Sequence, residues 1–229
     1  MTVLVYAFDR AGEPAPDTRG LDDKPLRVLT EGLLAAVVSD HDQPRLALSA
    51  LSLWGYEQVM ERLMAGRTIL PARFGTVLSD DDEVLALLHE HHEELTSGLE
   101  RVRGAVELGT RARWRSAASL PAAPTTAGGP GTAYLAGRVA VHRRAQDLAR
   151  RLDPLADLAR EARRRVVADD EFPVRDVYLV DRDRLAGFAH AVRELDERDP
   201  EIEMVCTGPW PPYSFTRTLD LAAASLGST

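Results

Sequence analysis

The stretch TILPARFGTVLSDDDEV, from Thr68 to Val84, limits the fold more than any other part of the chain. Thr68, Ile69 and Leu70 are β-branched or apolar and predict a buried strand. Pro71 has no N–H, which places it at a sheet edge or a bulge and not in a central strand. Gly75 permits a turn or a close backbone approach between Phe74 and Val77. Ser79 stands three residues before Asp82 in a capping-box-like pair. Asp80 to Glu83 load the first turn of the following helix with negative charge that suits its positive end.

The chain before this stretch alternates apolar runs with polar breaks. Val3 to Phe8 predicts a strand, Asp9 to Lys24 a Pro-, Gly- and Asp-rich loop, and Leu33 to Val38 a second buried strand. Tyr56, Val59, Met60 and Leu63 share one face of a helix expected from about Ser52 to Ala65, with Gly66 ending it. After Ser79, Val84, Leu88, His91, Leu95 and Val102 form one helical stripe that Gly104 stops. Val106 to Trp114 then alternates with the period of a half-exposed strand, with Val106, Leu108, Thr110, Ala112 and Trp114 on one side.

Ser116 to Gly131 is nearly all Ala, Pro, Gly, Ser and Thr and predicts a mobile loop, because it buries too little apolar surface to offset its ordering entropy. A long helical pattern follows from Thr132 to Val167, kinked or broken at Pro154. Val174 to Val180 predicts a strand. Leu185, Phe188, Val192 and Leu195 mark a helix capped by Asp181 or Asp183, and Glu201 to Thr207 a last strand. From Gly104 onward the order is strand, long helix, one or two strands, helix, strand, the pattern of a ferredoxin-like split βαβ unit. The fold class is therefore α+β with two domains. Residues 1–103 form an α+β N-terminal domain. Residues 104–229 are expected to form a ferredoxin-like C-terminal domain that carries the mobile loop and an extended C-terminal tail.

Composition narrows the function. The chain of 229 residues is 45% hydrophobic and 28% charged, enough to bury a core. No apolar run reaches the roughly 20 residues that cross a bilayer, and the first residues lack the pattern of a secretory leader. A single cysteine, Cys206, fits a reducing cytoplasm. The net charge of −8 argues against a nucleic-acid surface.

The candidate chemical groups all have plainer readings. His89 to His92 reads HEHH, but Glu93 stands where a zinc-protease helix needs its second histidine, so a solvated helix face is favoured over a metal site. His91, on the apolar stripe, is expected to be packed and hydrogen-bonded. The run Asp80–Asp82 is explained by capping and not by cation binding. Arg143, Arg144, Arg150, Arg151 and Arg163 to Arg165 form a basic series on the long helix. Asp147 and Glu161 precede Arg151 and Arg165 by four, which predicts a salt-bridged face. Cys206, at the end of an apolar strand, is expected to be buried and inert. No nucleophile, phosphate-binding or dinucleotide motif is present, so no catalytic, cofactor or metal residue is assigned and an enzyme is not expected. In GPWPPYSF the prolines hold the backbone extended while Trp210, Tyr213 and Phe215 supply apolar surface; a tail docked on the protein's own core is favoured over a partner-binding tail.

Four stretches, VLVYAF, LPARFGT, VELGTRARW and GPWPPYSF, occur in the order that resembles the gas vesicle protein F/L family, GvpF/GvpL. The resemblance spans Val3 to Phe215. It implies the two-domain architecture above, with a modified ferredoxin-like domain over residues 104–229, a location in the cytoplasm and at the gas vesicle, and no catalysis. It also implies binding to the small hydrophobic shell protein GvpA, with other gas vesicle proteins as further candidate partners, and a part in nucleating or assembling the vesicle. The contact is expected in the N-terminal domain around Leu70, Arg73 and Phe74, at an apolar groove or a sheet edge. The alternative is a ferredoxin-like domain that binds a small ligand or acts as a simple enzyme, which a deep polar pocket with a perturbed acid or base would favour.

Overall fold

Strand β1 (Thr2–Arg10) is buried from Val3 to Asp9, so its backbone N–H and C=O groups must find partners in strands on both sides. A computed structural model, which describes residues 2–14, 16–42, 49–116, 130–168 and 170–216, shows what flanks it. On one side β1 pairs antiparallel with β3 (Leu34–His41), which pairs in turn with β2 (Arg27–Glu31). On the other side lie two short strands, β4 (Leu70–Pro71) and β5 (Val77–Leu78). The order is β2-β3-β1-β4, with β5 also on β1. Pro71 thus sits on an edge strand, where a missing N–H costs the ladder nothing. The β1–β3 register shifts between Val5 and Ala7, at Tyr6. Tyr6 is fully buried, with its hydroxyl 2.9 Å from Ser39 Oγ and accepting from the Leu21 N–H at 2.8 Å.

Three helices complete this part: α1 (Ala50–Gly66), α2 (Asp81–Glu90) and α3 (His92–Val102). Tyr56, Val59, Met60 and Leu63 of α1 are buried as their spacing requires. The single helix expected after Ser79 is two helices, because His91 (φ −102°, ψ 20°) leaves helical geometry. The apolar stripe survives the break, with Leu88, Leu95, Leu99 and Val102 all buried. His91 itself is half-exposed, 3.4 Å from Glu94, and not packed in the core. The cap is also displaced by one residue. Asp80, not Ser79, is the N-cap and accepts from the Glu83 N–H at 2.9 Å, while the Glu83 carboxylate accepts from the Ser79 N–H at 2.6 Å. Arg27 of β2 reaches Asp40 of β3 and Asp81 of α2, at 2.5 and 2.6 Å, and ties the sheet to that helix start.

The remaining elements are β6 (Ala105–Trp114), α4 (Pro130–Arg151), α5 (Asp153–Ala156), β7 (Glu161–Val166), β8 (Val174–Asp181), α6 (Leu185–Arg198) and β9 (Ile202–Trp210). Their sheet order, β7-β8-β6-β9, is the ferredoxin-like arrangement of two split βαβ units. Leu108, Leu148, Tyr178, Phe188, Val192 and Ile202 centre its core. Residues 161–166 are strand and not a continuation of the long helix. Their Ala and Arg residues favour helix locally, but the antiparallel ladder from Glu161↔Leu179 to Val166↔Val174 overrides that weak preference.

The basic series is consequently divided between helix and strand. Arg144 and Arg151 lie over the Trp114 ring at 5.1 and 4.9 Å, and Arg151 pairs with Asp199 and Glu201. Arg164 pairs with Asp153 and the buried Asp176. Asp147 pairs with Arg150, one position before the expected Arg151. Neither Asp181 nor Asp183 caps α6 through its side chain; a 3-10 turn at Arg182–Arg184 leads into it. Cys206 is exposed, because β9 is an edge strand whose residues from Val205 onward are solvent-facing. The loop expected over 116–131 lies outside the described residues except for Ser116 and the start of α4.

The chain divides into two units, the first comprising Met1–Ala105 with the tail from Trp210, the second Val106–Pro209. The tail groups with the first unit and not, as expected, with the ferredoxin-like one. Phe215, 1% exposed, and Tyr213, hydrogen-bonded to Tyr56, account for this.

Candidate interaction groove

An aromatic column in the first unit begins at the β1 bulge and ends at the surface. Tyr6 stacks on Tyr56 with centroids 5.4 Å apart and planes 17° from parallel. Tyr56 meets Phe74 edge-on at 5.2 Å. The Tyr56 hydroxyl lies 3.1 Å from the Tyr6 carbonyl and 2.9 Å from that of Ala72, which fixes α1 against β1 and against the residue that follows β4. Burial pushes the Tyr56 phenol well above its ordinary range, so it remains a neutral donor. Phe74, half-buried, is held by this column and by the turn after it. There the Thr76 N–H and hydroxyl donate to the Arg73 carbonyl at 3.0 and 2.7 Å, and Gly75 adopts φ 80°, a conformation that disfavours any side chain.

Phe74 opens onto a groove of about 1640 Å³ lined entirely by the first unit. Leu70, Ala72, Leu95 and Phe215 are its buried floor, while Leu53 and Tyr213 are each 39% exposed within it. Helix α3 approaches the floor closely at Gly98, where an added Cβ would stand 2.9 Å from Leu70 Cδ1. The tail enters through a 3-10 turn in which the Phe215 and Thr216 N–H groups donate to the Pro212 carbonyl at 3.1 and 3.2 Å.

The three residues singled out from the sequence all line this groove, in different ways. Leu70 is 5% exposed and supports the floor, Phe74 is half-buried, and Arg73 is exposed with no ion-pair partner among the described residues. The contributions of α1, of the His89–Leu95 corner and of the tail were not visible in sequence, since their juxtaposition is tertiary. GPWPPYSF carried the one usable signal, an apolar tail that had to dock somewhere. The HEHH residues stand at the helix break and not on one helix face. His89 lies 3.4 Å from Glu31, and among the described residues no three His, Cys, Asp or Glu side chains gather as a metal set would. Nor is any helix of the described residues long and apolar enough to cross a membrane.

A family model described as gas vesicle synthesis protein GvpL/GvpF matches residues 2–217. The chain belongs to this family. Gas vesicle protein F of Streptomyces sp. (strain CB03234) is 31% identical to this GvpL/GvpF protein over 239 residues, covering 94% of this chain and 99% of the relative. Gas vesicle protein L of the same organism is 30% identical over 247 residues, covering 92% and 91%. The crystal structure of GvpF from Anabaena sp. PCC7120 superposes with a TM-score of 0.81 at 21% identity, over 94% of this chain and 96% of that one. The crystal structure of GvpF from Microcystis aeruginosa gives 0.81 at 22% identity, over 94% and 99%. The GvpL/GvpF fold is thus shared over nearly the whole chain.

Proposed function

We propose that this GvpL/GvpF protein is a non-catalytic accessory or minor structural component, acting in the cytoplasm and at the vesicle. It binds the hydrophobic shell protein GvpA through the first-unit groove around Leu70, Arg73 and Phe74 and assists vesicle nucleation and assembly. The observation that carries the reading is the groove itself. It has an apolar floor and half-exposed Leu53, Phe74 and Tyr213 in a protein that belongs to a gas vesicle family. At about 1640 Å³ it exceeds the roughly 300–1,000 Å³ of small-molecule sites, which favours a protein segment over a small ligand. Binding there would shield apolar shell-protein surface that otherwise drives aggregation.

Co-expression with GvpA, followed by pull-down and a solubility assay, tests this. The expected result is co-purification and a larger soluble fraction of GvpA, both reduced by Arg73→Ser with Phe74→Ser in a variant whose fold is intact by circular dichroism. GvpA that aggregates as it does alone, with none retained, overturns direct binding. Undiminished retention by the double variant overturns the site.

A further inference from the structure

The rim of the groove differs in kind from its floor. Glu31, Glu57, Glu90, Glu93 and Glu94 line it, against Arg73 and Arg101, leaving three negative charges in excess. Glu57, Glu90 and Glu93 are exposed and make no ion pair among the described residues. This is unlike the second unit, where arginines answer most carboxylates: Arg113 with Glu203, Arg115 with Asp196, Arg164 with Asp176. An apolar channel edged by unanswered carboxylates calls for an occupant with an apolar stripe and basic flanks.

The sheet edge beside the groove indicates the occupant's backbone form. That edge is β4, only two residues long, and Pro71 removes one of its donors. An added strand would find almost no ladder there. A helix satisfies its own backbone and needs only side-chain contacts. A helix about 10 Å across fills roughly 120 Å³ per residue, so the groove volume corresponds to about 14 residues, or four turns.

We propose that the groove takes an amphipathic α-helix of a partner protein, its apolar stripe on Leu53, Phe74 and Tyr213 and its lysine- or arginine-rich flanks against Glu57, Glu90 and Glu93. Only the identity of that partner as a vesicle shell protein rests on the function proposed above; the chemistry of the occupant rests on the groove. Arg73, exposed on the rim, admits one acidic residue among the basic ones.

The test is a titration of the full chain with fluorescein-labelled helical peptides of about 14 residues, read by anisotropy. One carries a leucine stripe with lysine flanks, one the same stripe with glutamate flanks, and one lysine flanks with serine in place of leucine. The first should bind, weaken at high ionic strength, and bind about tenfold less tightly to the Glu57→Gln/Glu90→Gln/Glu93→Gln variant. A control, Asp157→Asn/Asp183→Asn/Glu197→Gln, removes as many exposed carboxylates outside the groove and should leave binding unchanged. Equal losses in the two triple variants, equal or tighter binding of the glutamate peptide, or binding of the serine peptide each overturns the proposal. So does concentration-dependent dimerisation abolished by Phe74→Ser, which would make a second copy of this chain the occupant. If GvpA is retained by the wild-type chain and equally by the groove triple variant, the occupant's chemistry falls and the assembly reading stands. If the lysine peptide behaves as expected but GvpA is not retained, the assembly reading falls alone.

Discussion

His41 shows how one residue ties the core of the first unit to the solution conditions. It is 4% exposed, with Nε2 2.9 Å from Ser39 Oγ, which is itself 2.9 Å from the Tyr6 hydroxyl. Burial holds its imidazole below the ordinary 6.5, with the Lys24 charge acting in the same direction. Asp22, 3.7 Å from Nδ1, together with Asp40 and Asp42, pulls the other way without prevailing. The neutral form is therefore the one that folding favours. A depressed pKa contributes stability that is present above 6.5 and lost as pH falls through the folded value. Denaturant unfolding between neutral and mildly acidic pH should show stability falling on the acid side of 6.5, by at most about 1.4 kcal/mol per pH unit from this one proton. His41→Gln, which keeps a partner for Ser39, should flatten that slope. Identical slopes in the two proteins would mean that His41 is not held neutral by burial.

At the scale of elements, the start of α2 separates what the sequence makes legible from what it does not. An acidic, capped helix start after LPARFGT is legible because several residues say the same thing. Which residue caps is not, since Ser79, Asp80 and Asp81 are all competent and only the entering backbone decides. The structure gives the role to Asp80, whose carboxylate holds the Glu83 N–H, and leaves the Ser79 side chain without a part in the cap. Asp80→Ala should cost about 0.5–2 kcal/mol and Ser79→Ala nearly nothing, measured by thermal or urea unfolding. The reverse order would return the cap to Ser79. The same limit explains the other differences. β1 and β3 are legible as unbroken apolar runs buried on both faces, whereas β2 has mixed RVLTE residues and is a strand only because β3 offers it an edge. β7 carries three arginines of good helix propensity, and its ladder with β8 lies outside any local window. The break at His91 has no Gly or Pro to announce it. Of the groove, sequence shows the one wall built by a contiguous motif, Leu70 to Phe74, and not the walls brought by α1, α3 and the tail.

At the scale of the whole molecule, the tail's return to the first unit has a consequence for stability. The chain leaves that unit at Ala105 and comes back at Trp210, so the unit is not complete until the ferredoxin-like one has been made. Pro211 and Pro212 are buried, and Phe215 is 1% exposed on the groove floor among Leu70, Leu95 and Tyr56. A buried aromatic ring contributes about 3–5 kcal/mol when compared with alanine, through lost apolar contact and the cavity left behind. Phe215→Ala should therefore destabilise the first unit on that scale. Its effect should concentrate on the groove, whose floor would lose its Phe215 ring. Native-state hydrogen exchange makes this local: amides of β1, β3 and α3 should exchange faster in the variant, and those of β8, whose neighbours are all in the second unit, should change least. The same variant should retain less GvpA in the pull-down, through a deformed floor and not through a lost surface contact, because Phe215 offers almost no surface to a partner. A Phe215→Leu variant, which keeps most of the buried apolar volume, should recover both exchange protection and retention. Unchanged exchange in β1 and α3 after Phe215→Ala would mean that the tail covers the first unit without stabilising it. Loss confined to β8 would mean that the tail belongs with the ferredoxin-like sheet after all.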